Sequence, residues 1–292
     1  MRPERPTSIP ADLALLAVAA IWGLTFSAVQ RALADAAPMS FLAARFALAA
    51  VVLAVLFPRR VFRMEWRVLT VAALLGVWLT AGYALQTVGL LYTTASKSAF
   101  ITGLSVILVP LLALAVSRAV PRPTSLLAVL LAAAGLYLLT SPGNMGLNKG
   151  DLLTLGCAAA FALHIVTAGR AAPRHDPLPL AFWQIVTTAL ACAALMGFLE
   201  SPRLPLTPWT IAALAITGIL ATALAFATQM WAQRRTSATH VALIFTAEPV
   251  FAALFARFIQ HDVLGAGGLV GAALILAGIL LAQLPSRPPA GR

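Results

Sequence analysis

Charge is what this sequence has least of. Nine Asp and Glu stand among 292 residues, and all charged residues together make up 10% of the chain, against about 25% in an ordinary soluble domain. So little charge excludes a water-soluble globular surface. Cysteine occurs only as Cys157 and Cys192, each inside an apolar run. Two such residues read as small buried side chains, not as a disulfide framework or metal pair. No phosphate-cradling glycine loop, no metal-ligand spacing of His or Cys and no Gly-x-Ser-x-Gly elbow is present, and Asn148-Lys149-Gly150 is a plain loop. The sequence thus gives no sign of nucleotide hydrolysis, and the expectation is a non-enzyme with no cofactor and no metal. Linkers long enough to hold a soluble domain are missing too.

What remains is apolar: 61% of residues, with a mean hydropathy of +0.93. This composition belongs to a multi-pass membrane protein with the lipid bilayer as its solvent. A hydrocarbon core of roughly 30 Å takes about 20 helical residues to cross. Ten stretches fit, at 12–31, 38–57, 68–90, 95–116, 124–140, 152–169, 178–199, 209–232, 237–256 and 264–284. Proline, glycine and charge mark the joins, as at Pro38, Pro58-Arg-Arg60, Pro121-Arg-Pro123 and Ser141-Pro-Gly-Asn144. The start, Met1 to Asp12, carries Arg2, Arg5 and prolines but no small-residue cleavage site, so the first span is expected to be retained.

The net charge of +11 does not indicate nucleic acid, because the basic residues fall in short groups between apolar runs instead of along one face. Such groups set orientation. With ten spans, one side collects Arg2, Arg5, Arg59, Arg60, Arg63, Arg67, Arg118, Arg122, Arg170, Arg174, Arg234, Arg235, Arg287 and Arg292. The other side has only Arg31, Lys97, Lys149, Arg203 and Arg257, and Arg45 lies within the second span. Both termini are therefore expected in the cytoplasm of a cell that carries the protein in its plasma or inner membrane. Nine spans would scramble this alternation.

The chain also repeats itself. Tyr83-Ala-Leu-Gln86 lies over Phe226-Ala-Thr-Gln229, and Thr93 to Ile101 lies over Thr236 to Ile244, at a constant offset of 143. Asp12 and Arg31 match Asp151 and Arg170 at offset 139, as Pro110 and Arg118 match Pro249 and Arg257. The change of offset puts about one extra helical turn between Ile101 and Pro110. Two units of five spans, at 12–140 and 151–284, must cross in opposite senses, which is the inverted-repeat plan of many secondary transporters.

Trp22-Gly-Leu-Thr-Phe26, Arg45-Phe46, Tyr92-Thr-Thr-Ala-Ser-Lys97-Ser-Ala-Phe100 before Pro110, and Thr236-Ser-Ala238 leading into Ala247-Glu248-Pro249-Val-Phe-Ala-Ala253 together resemble the drug/metabolite transporter superfamily, EamA type. The resemblance covers nearly the whole chain. It implies an all-α protein of ten transmembrane helices that moves amino acids or other small metabolites, often as an exporter. The second unit departs from the first in having Gln184 where Arg45 would repeat.

Ionisable groups at membrane depth each cost on the order of 2.5–3.5 kcal/mol unless they face water or a partner, so they mark candidate sites. Arg45, Lys97 and Glu248 form the first set: the two cations for a substrate carboxylate, the acid for its ammonium. The plainer readings are carbonyl bonding for Arg45, a helix-end anchor for Lys97 and a structural acid for Glu248. His164 and His240 are proton-relay candidates or packing groups. Aromatic and amide candidates follow, namely Trp22, Trp78, Tyr83, Phe161 and Trp183 inside spans, and Gln86 and Gln229, which match across the repeat and would otherwise bond between helices. Trp66, Trp209 and Trp231 read as interfacial anchors. Pro110 and Pro249 are candidate hinges, since proline removes a backbone bond. The small residues Gly265, Gly267, Gly268 and Gly271 suit close helix packing or a dimer face, so the chain is expected as monomer or homodimer. The reading is alternating access for a small-molecule substrate, with uniport and proton coupling equally open. A membrane enzyme acting on lipid is the alternative; it would need an acid–base or nucleophile cluster, for which only scattered candidates exist.

Overall fold

A computed structural model describes residues 8–62, 65–93, 95–117, 123–140, 148–252, 254 and 265–283, with backbone alone at 26, 27, 95–97, 116, 117, 140 and 283. Lys97 therefore has no described side chain, and Arg2, Arg5, Arg63, Arg118, Arg122, Arg257, Arg287 and Arg292 lie outside the described residues, as do the joins at 121–122 and 141–144.

Among the described residues every regular element is a helix. The elements are α1 (Ile9–Ala32), α2 (Pro38–Leu56), the short α3 (Pro58–Val61), α4 (Trp66–Gly89), α5 (Ala95–Gly103), α6 (Ser105–Ser117), α7 (Pro123–Thr140), α8 (Lys149–Ala171) and α9 (Pro177–Leu199). Then come α10 (Pro208–Ala215), a π-helical segment (Ile216–Leu224), α11 (Ala225–Gln233), α12 (Ala238–Phe245) and α13 (Ala266–Gln283). Seven helices are long and apolar enough to cross a membrane, and three shorter apolar ones, Pro123–Leu139, Ala238–Ala252 and Ala266–Ala282, accompany them. Helices are the form that satisfies every backbone polar group without water.

Local chemistry fixes the helix starts. Proline opens α2, α3, α9 and α10 within the first two positions, where its missing N–H costs nothing. Asn148 and Asp151 form a reciprocal capping box at α8, and Asp176, Thr207 and Ser237 cap α9, α10 and α12 with their side chains. Two spans are interrupted. Leu104 N–H is shared between the carbonyls of Phe100 and Ile101, both at 3.2 Å, separating α5 from α6. This break falls within the interval of the extra turn. Pro110, the expected hinge, instead sits inside the continuous α6, six residues beyond the break. After α12, Thr246 and Ala247 bond three residues back, a 3₁₀ tightening immediately before Glu248 and Pro249.

Helix ends identify two sides. At the side where α1 ends, the Arg31 guanidinium lies 4.4 Å from the Trp209 ring at the start of α10, and Ser40 at the start of α2 bonds Glu200 at the end of α9. Lys149 at the start of α8 lies 4.7 Å over the ring of Tyr92, just past α4. At the side where α1 begins, Asp12 meets His240, Arg60 meets Asp176, and the Trp183 indole donates to the Val61 carbonyl. Hence α2 and α9 run in opposite senses. Packing pairs α7 with α13, α4 with α8 and α9, α2 with α9 and the π segment, α6 with α8 and α12, and α1 with α11 and α12.

Small residues permit these approaches. A β-carbon on Gly135 would stand 2.6 Å from the Gly271 carbonyl oxygen, and one on Gly278 would stand 2.7 Å from that of Ala128. The glycines of α13 thus serve its contact with α7. Outward faces carry large apolar side chains, among them Val55, Leu130, Leu190, Phe198 and Leu280, as a helix surrounded by lipid requires.

Candidate functional site

One core cluster joins α1, α6, α7, α8, α12 and α13, and another joins α2, α4, α9 and the α10–α11 span. Between them lies a cavity with about 990 Å³ of empty space, mouth included. Its lining reaches from Phe161, Phe226 and Glu248 to Val29 and Leu90 in the last turns of α1 and α4.

Five aromatic residues wall it. Trp22 and Phe245 have ring centroids 4.8 Å apart, Trp22 and Phe226 5.8 Å, and Tyr83 and Phe161 5.2 Å. Phe161 packs directly on Gly82, a position where any side chain would displace the ring. Such a wall suits an apolar substrate body, while a few placed polar groups fix its orientation.

Arg45 is the cavity's cation and is 4% exposed. Its Nε donates to Thr222 Oγ1 at 2.8 Å and its Nη2 to the Ala221 carbonyl at 3.5 Å, while the guanidinium carbon lies 4.8 Å from the Tyr83 ring centre. Glu248 lines the same cavity beside Pro249. Among the described residues neither Arg45 nor Glu248 has an ion-pair partner. A cation and an acid held so at membrane depth are ready for charges supplied from outside the protein.

The amides differ in how they are satisfied. Gln86 Nε2 donates to Thr102 Oγ1 at 3.2 Å. Gln229 Nε2 donates to Gln233 Oε1 at 3.3 Å, and Gln233 Nε2 donates to the Ile165 carbonyl at 3.0 Å. This leaves Gln229 Oε1 buried and without a hydrogen-bond partner, an acceptor at the cavity wall that a ligand N–H would satisfy. His164 Nε2 lies 2.8 Å from Gln184 Oε1, and since an amide oxygen only accepts, that ring nitrogen is the donor of the pair. Gln184, standing where Arg45 would repeat, therefore serves His164.

Of the residues singled out in the sequence, Trp22, Arg45, Tyr83, Gln86, Phe161, His164, Gln229, Glu248 and Pro249 line the cavity together. Four others lie outside the lining. Trp78 is absent from the lining. Trp183 spends its indole N–H on Val61, and His240 is 3.0 Å from Asp12, both at the side where α1 begins. Pro110 is buried away from the cavity. The lining also includes Thr25, Thr87, Thr102, Ser105 and Thr246, which the sequence reading passed over. Thr25 and Thr246 bond carbonyls of their own helices, a habit of hydroxyl residues in any apolar helix, so composition carries no signal for them.

Among the described residues every regular element is a helix, seven are long and apolar enough to cross a membrane, and aromatic and charged side chains share one cavity, an arrangement that fits the broad class of membrane carriers. The family is specific: residues 9–141 and 148–284 each match the EamA-like transporter family, and the chain belongs to it and thereby to the drug/metabolite transporter superfamily. An uncharacterized transporter of Archaeoglobus fulgidus is 34% identical over 94% of this chain and 86% of its own length. The uncharacterized transporter YyaM of Bacillus subtilis is 25% identical over 94% of each chain. A solved crystal structure, 20% identical, superposes with a TM-score of 0.79 over 94% of this chain and 96% of that one, and so shares the fold.

Proposed function

We propose that this transporter is a secondary carrier, working as an exporter of amino acids or related small amphipathic zwitterions by alternating access. The observation that carries the reading is the cavity itself, where a cation, Arg45, and an acid, Glu248, neither of them with an ion-pair partner among the described residues, share a chamber walled by Trp22, Tyr83, Phe161, Phe226 and Phe245. The substrate carboxylate pairs with Arg45, its ammonium with Glu248 and the Gln229 oxygen, and its apolar part with the rings. Lys97, at the start of α5, is the second cation that this reading assigns to the carboxylate.

Two inverted units of five helices supply the movement. The double family match, the opposite senses of α2 and α9, and pairings such as α4 with α8 and α1 with α11 support that arrangement. The first unit's α5–α6 break and the second unit's tightening before Pro249 are the places where helices would flex. The side where α1 begins is assigned to the cytoplasm, following the excess of arginine there. In this reading Asp12–His240 and Gln233–Ile165 are the contacts that would part when that side opens, while the cavity lining reaches Val29 and Leu90 toward the other. Proton coupling, where present, runs through Glu248.

The test is flux. Purified protein in liposomes should accumulate one or more labelled apolar amino acids against empty vesicles, and the uptake should be competed by unlabelled substrate. No flux for any amino acid or organic cation, together with turnover of a lipid, would replace the transporter reading with that of a membrane enzyme.

A further inference from the structure

The span from Pro208 to Gln233 is wound in π form over nine residues, Ile216–Leu224, and this irregularity sits against the cavity's one described cation. In the π segment each N–H reaches five residues back, and Ala225 N–H accordingly bonds the Leu220 carbonyl. In α winding the Ala225 N–H would take the carbonyl of Ala221, four residues back; here its bonds go to the carbonyls of Leu220 and Thr222 instead, and that of Ala221 is passed over. That carbonyl is the one that accepts the Trp22 indole at 2.8 Å and Arg45 Nη2 at 3.5 Å. Its neighbour Thr222 is turned by the same winding. Its hydroxyl donates to the Thr217 carbonyl, five residues back, at 2.8 Å, leaving an oxygen lone pair to accept Arg45 Nε at 2.8 Å.

We propose that Thr222 and the Ala221 carbonyl form a positioning device that holds the Arg45 guanidinium with its remaining Nη donors turned to a substrate carboxylate. Thr222 lies outside the cavity lining and is fully buried, so it acts through Arg45 and never touches the substrate. Close packing defends the geometry, since a β-carbon on Gly218 within the π segment would stand 3.1 Å from the Arg45 carbonyl oxygen and 2.9 Å from Leu48. Arg45 is long and flexible, and an unheld guanidinium would spread over several rotamers and lose the two parallel bonds that make arginine selective for carboxylate. Anchoring Nε and one Nη hydrogen removes that freedom before substrate arrives. The device rests on the reading of Arg45 as the carboxylate receptor.

The experiment measures binding of L-leucine and of isoamylamine, its decarboxylated counterpart, to the full chain in lipid nanodiscs. Wild type, Thr222→Val, Thr222→Ser and Arg45→Lys are compared, each first checked for an intact thermal transition. Thr222→Val keeps the shape and removes the hydroxyl. It should weaken L-leucine about tenfold, the order expected for losing one charge-assisted bond, leave isoamylamine within twofold, and be restored by Thr222→Ser. Equal weakening of both probes by Thr222→Val, or no change in either while Arg45→Lys weakens L-leucine, overturns the positioning device and leaves the role of Arg45 standing. Indifference of L-leucine to Arg45→Lys, or failure of wild type to bind it, overturns the receptor reading and the device with it. Failure of Thr222→Ser to rescue also overturns the device, since the hydroxyl is then not what matters.

Discussion

Asp12 of α1 and His240 of α12 are 228 residues apart in sequence and 3.0 Å apart in space, with side chains 6% and 5% exposed. Removing either to alanine leaves the other buried and unsatisfied, a loss of about 1–3 kcal/mol for each single change. The interaction itself is a different quantity. Hydrogen bonds between membrane helices average about 0.6 kcal/mol and reach about 1.7, whereas bonds to charged groups in proteins run to about 1.5–3 kcal/mol. A carboxylate on an imidazole, sealed from water at a helix end, belongs at the upper end of the membrane range. We expect a coupling of about 1.5 kcal/mol, so Asp12→Ala and His240→Ala should cost about 2 kcal/mol each but only about 2.5 kcal/mol together. A double-mutant cycle on reversible unfolding in mixed micelles measures this. Losses that add to within about 0.3–0.5 kcal/mol would show that the contact contributes no coupling and that α1 and α12 are held together here by packing alone.

Other expectations follow from contacts of contrasting kind. Gly135→Val should destabilise by at least about 1–3 kcal/mol, because its added atoms meet the Gly271 backbone at 2.6 Å, while Gly197→Ala, with nothing within 4 Å, should stabilise by up to about 1 kcal/mol; the same unfolding assay reads both, and a reversed order would contradict the α7–α13 packing. The Arg60–Asp176 pair, with side chains 57% and 45% exposed, should be worth under about 1 kcal/mol despite its 3.0 Å geometry, as a salt titration of the Arg60→Ala variant will check. Glu248→Gln should flatten the pH dependence of flux in liposomes, and an unchanged profile would remove Glu248 from any proton step.

Much of the helical plan was legible because hydrophobic length survives any detail of packing. Among the described residues, seven of the apolar stretches read in the sequence are helices long and apolar enough to cross a membrane and three coincide with shorter apolar helices, and proline and capping residues placed many of their starts within a few residues. The repeat was more informative about the cavity than residue type alone. Trp22 with Phe161, Tyr83 with Phe226, and Gln86 with Gln229 are matched pairs, and all six line the cavity. Trp78 and Trp183 carried only the signal of depth, and depth says nothing about which way around the helix a side chain points when every face is apolar. His240 was read as a buried titratable group without its partner, because Asp12 lies 228 residues away. The π segment left no trace in the sequence: Ile216 to Leu224 is as apolar as other spans, and its contacts with Arg45, Trp22 and Leu48 come from residues about 170–200 positions away in the chain. The change of offset, by contrast, singled out the interval from Ile101 to Pro110 in the sequence, and the break at Leu104 lies within that interval.

The most direct test of the account separates the two ends of the substrate. Affinities of L-leucine, isoamylamine and 4-methylpentanoate should be measured for wild type, Arg45→Gln and Glu248→Gln under one buffer condition. The account predicts that Arg45→Gln weakens L-leucine and the carboxylate and spares the amine, that Glu248→Gln weakens L-leucine and the amine and spares the carboxylate, and that wild type prefers the zwitterion to both. Equal loss of all three ligands in either variant, or no preference of wild type for the zwitterion, would contradict a site in which Arg45 and Glu248 receive opposite ends of one molecule.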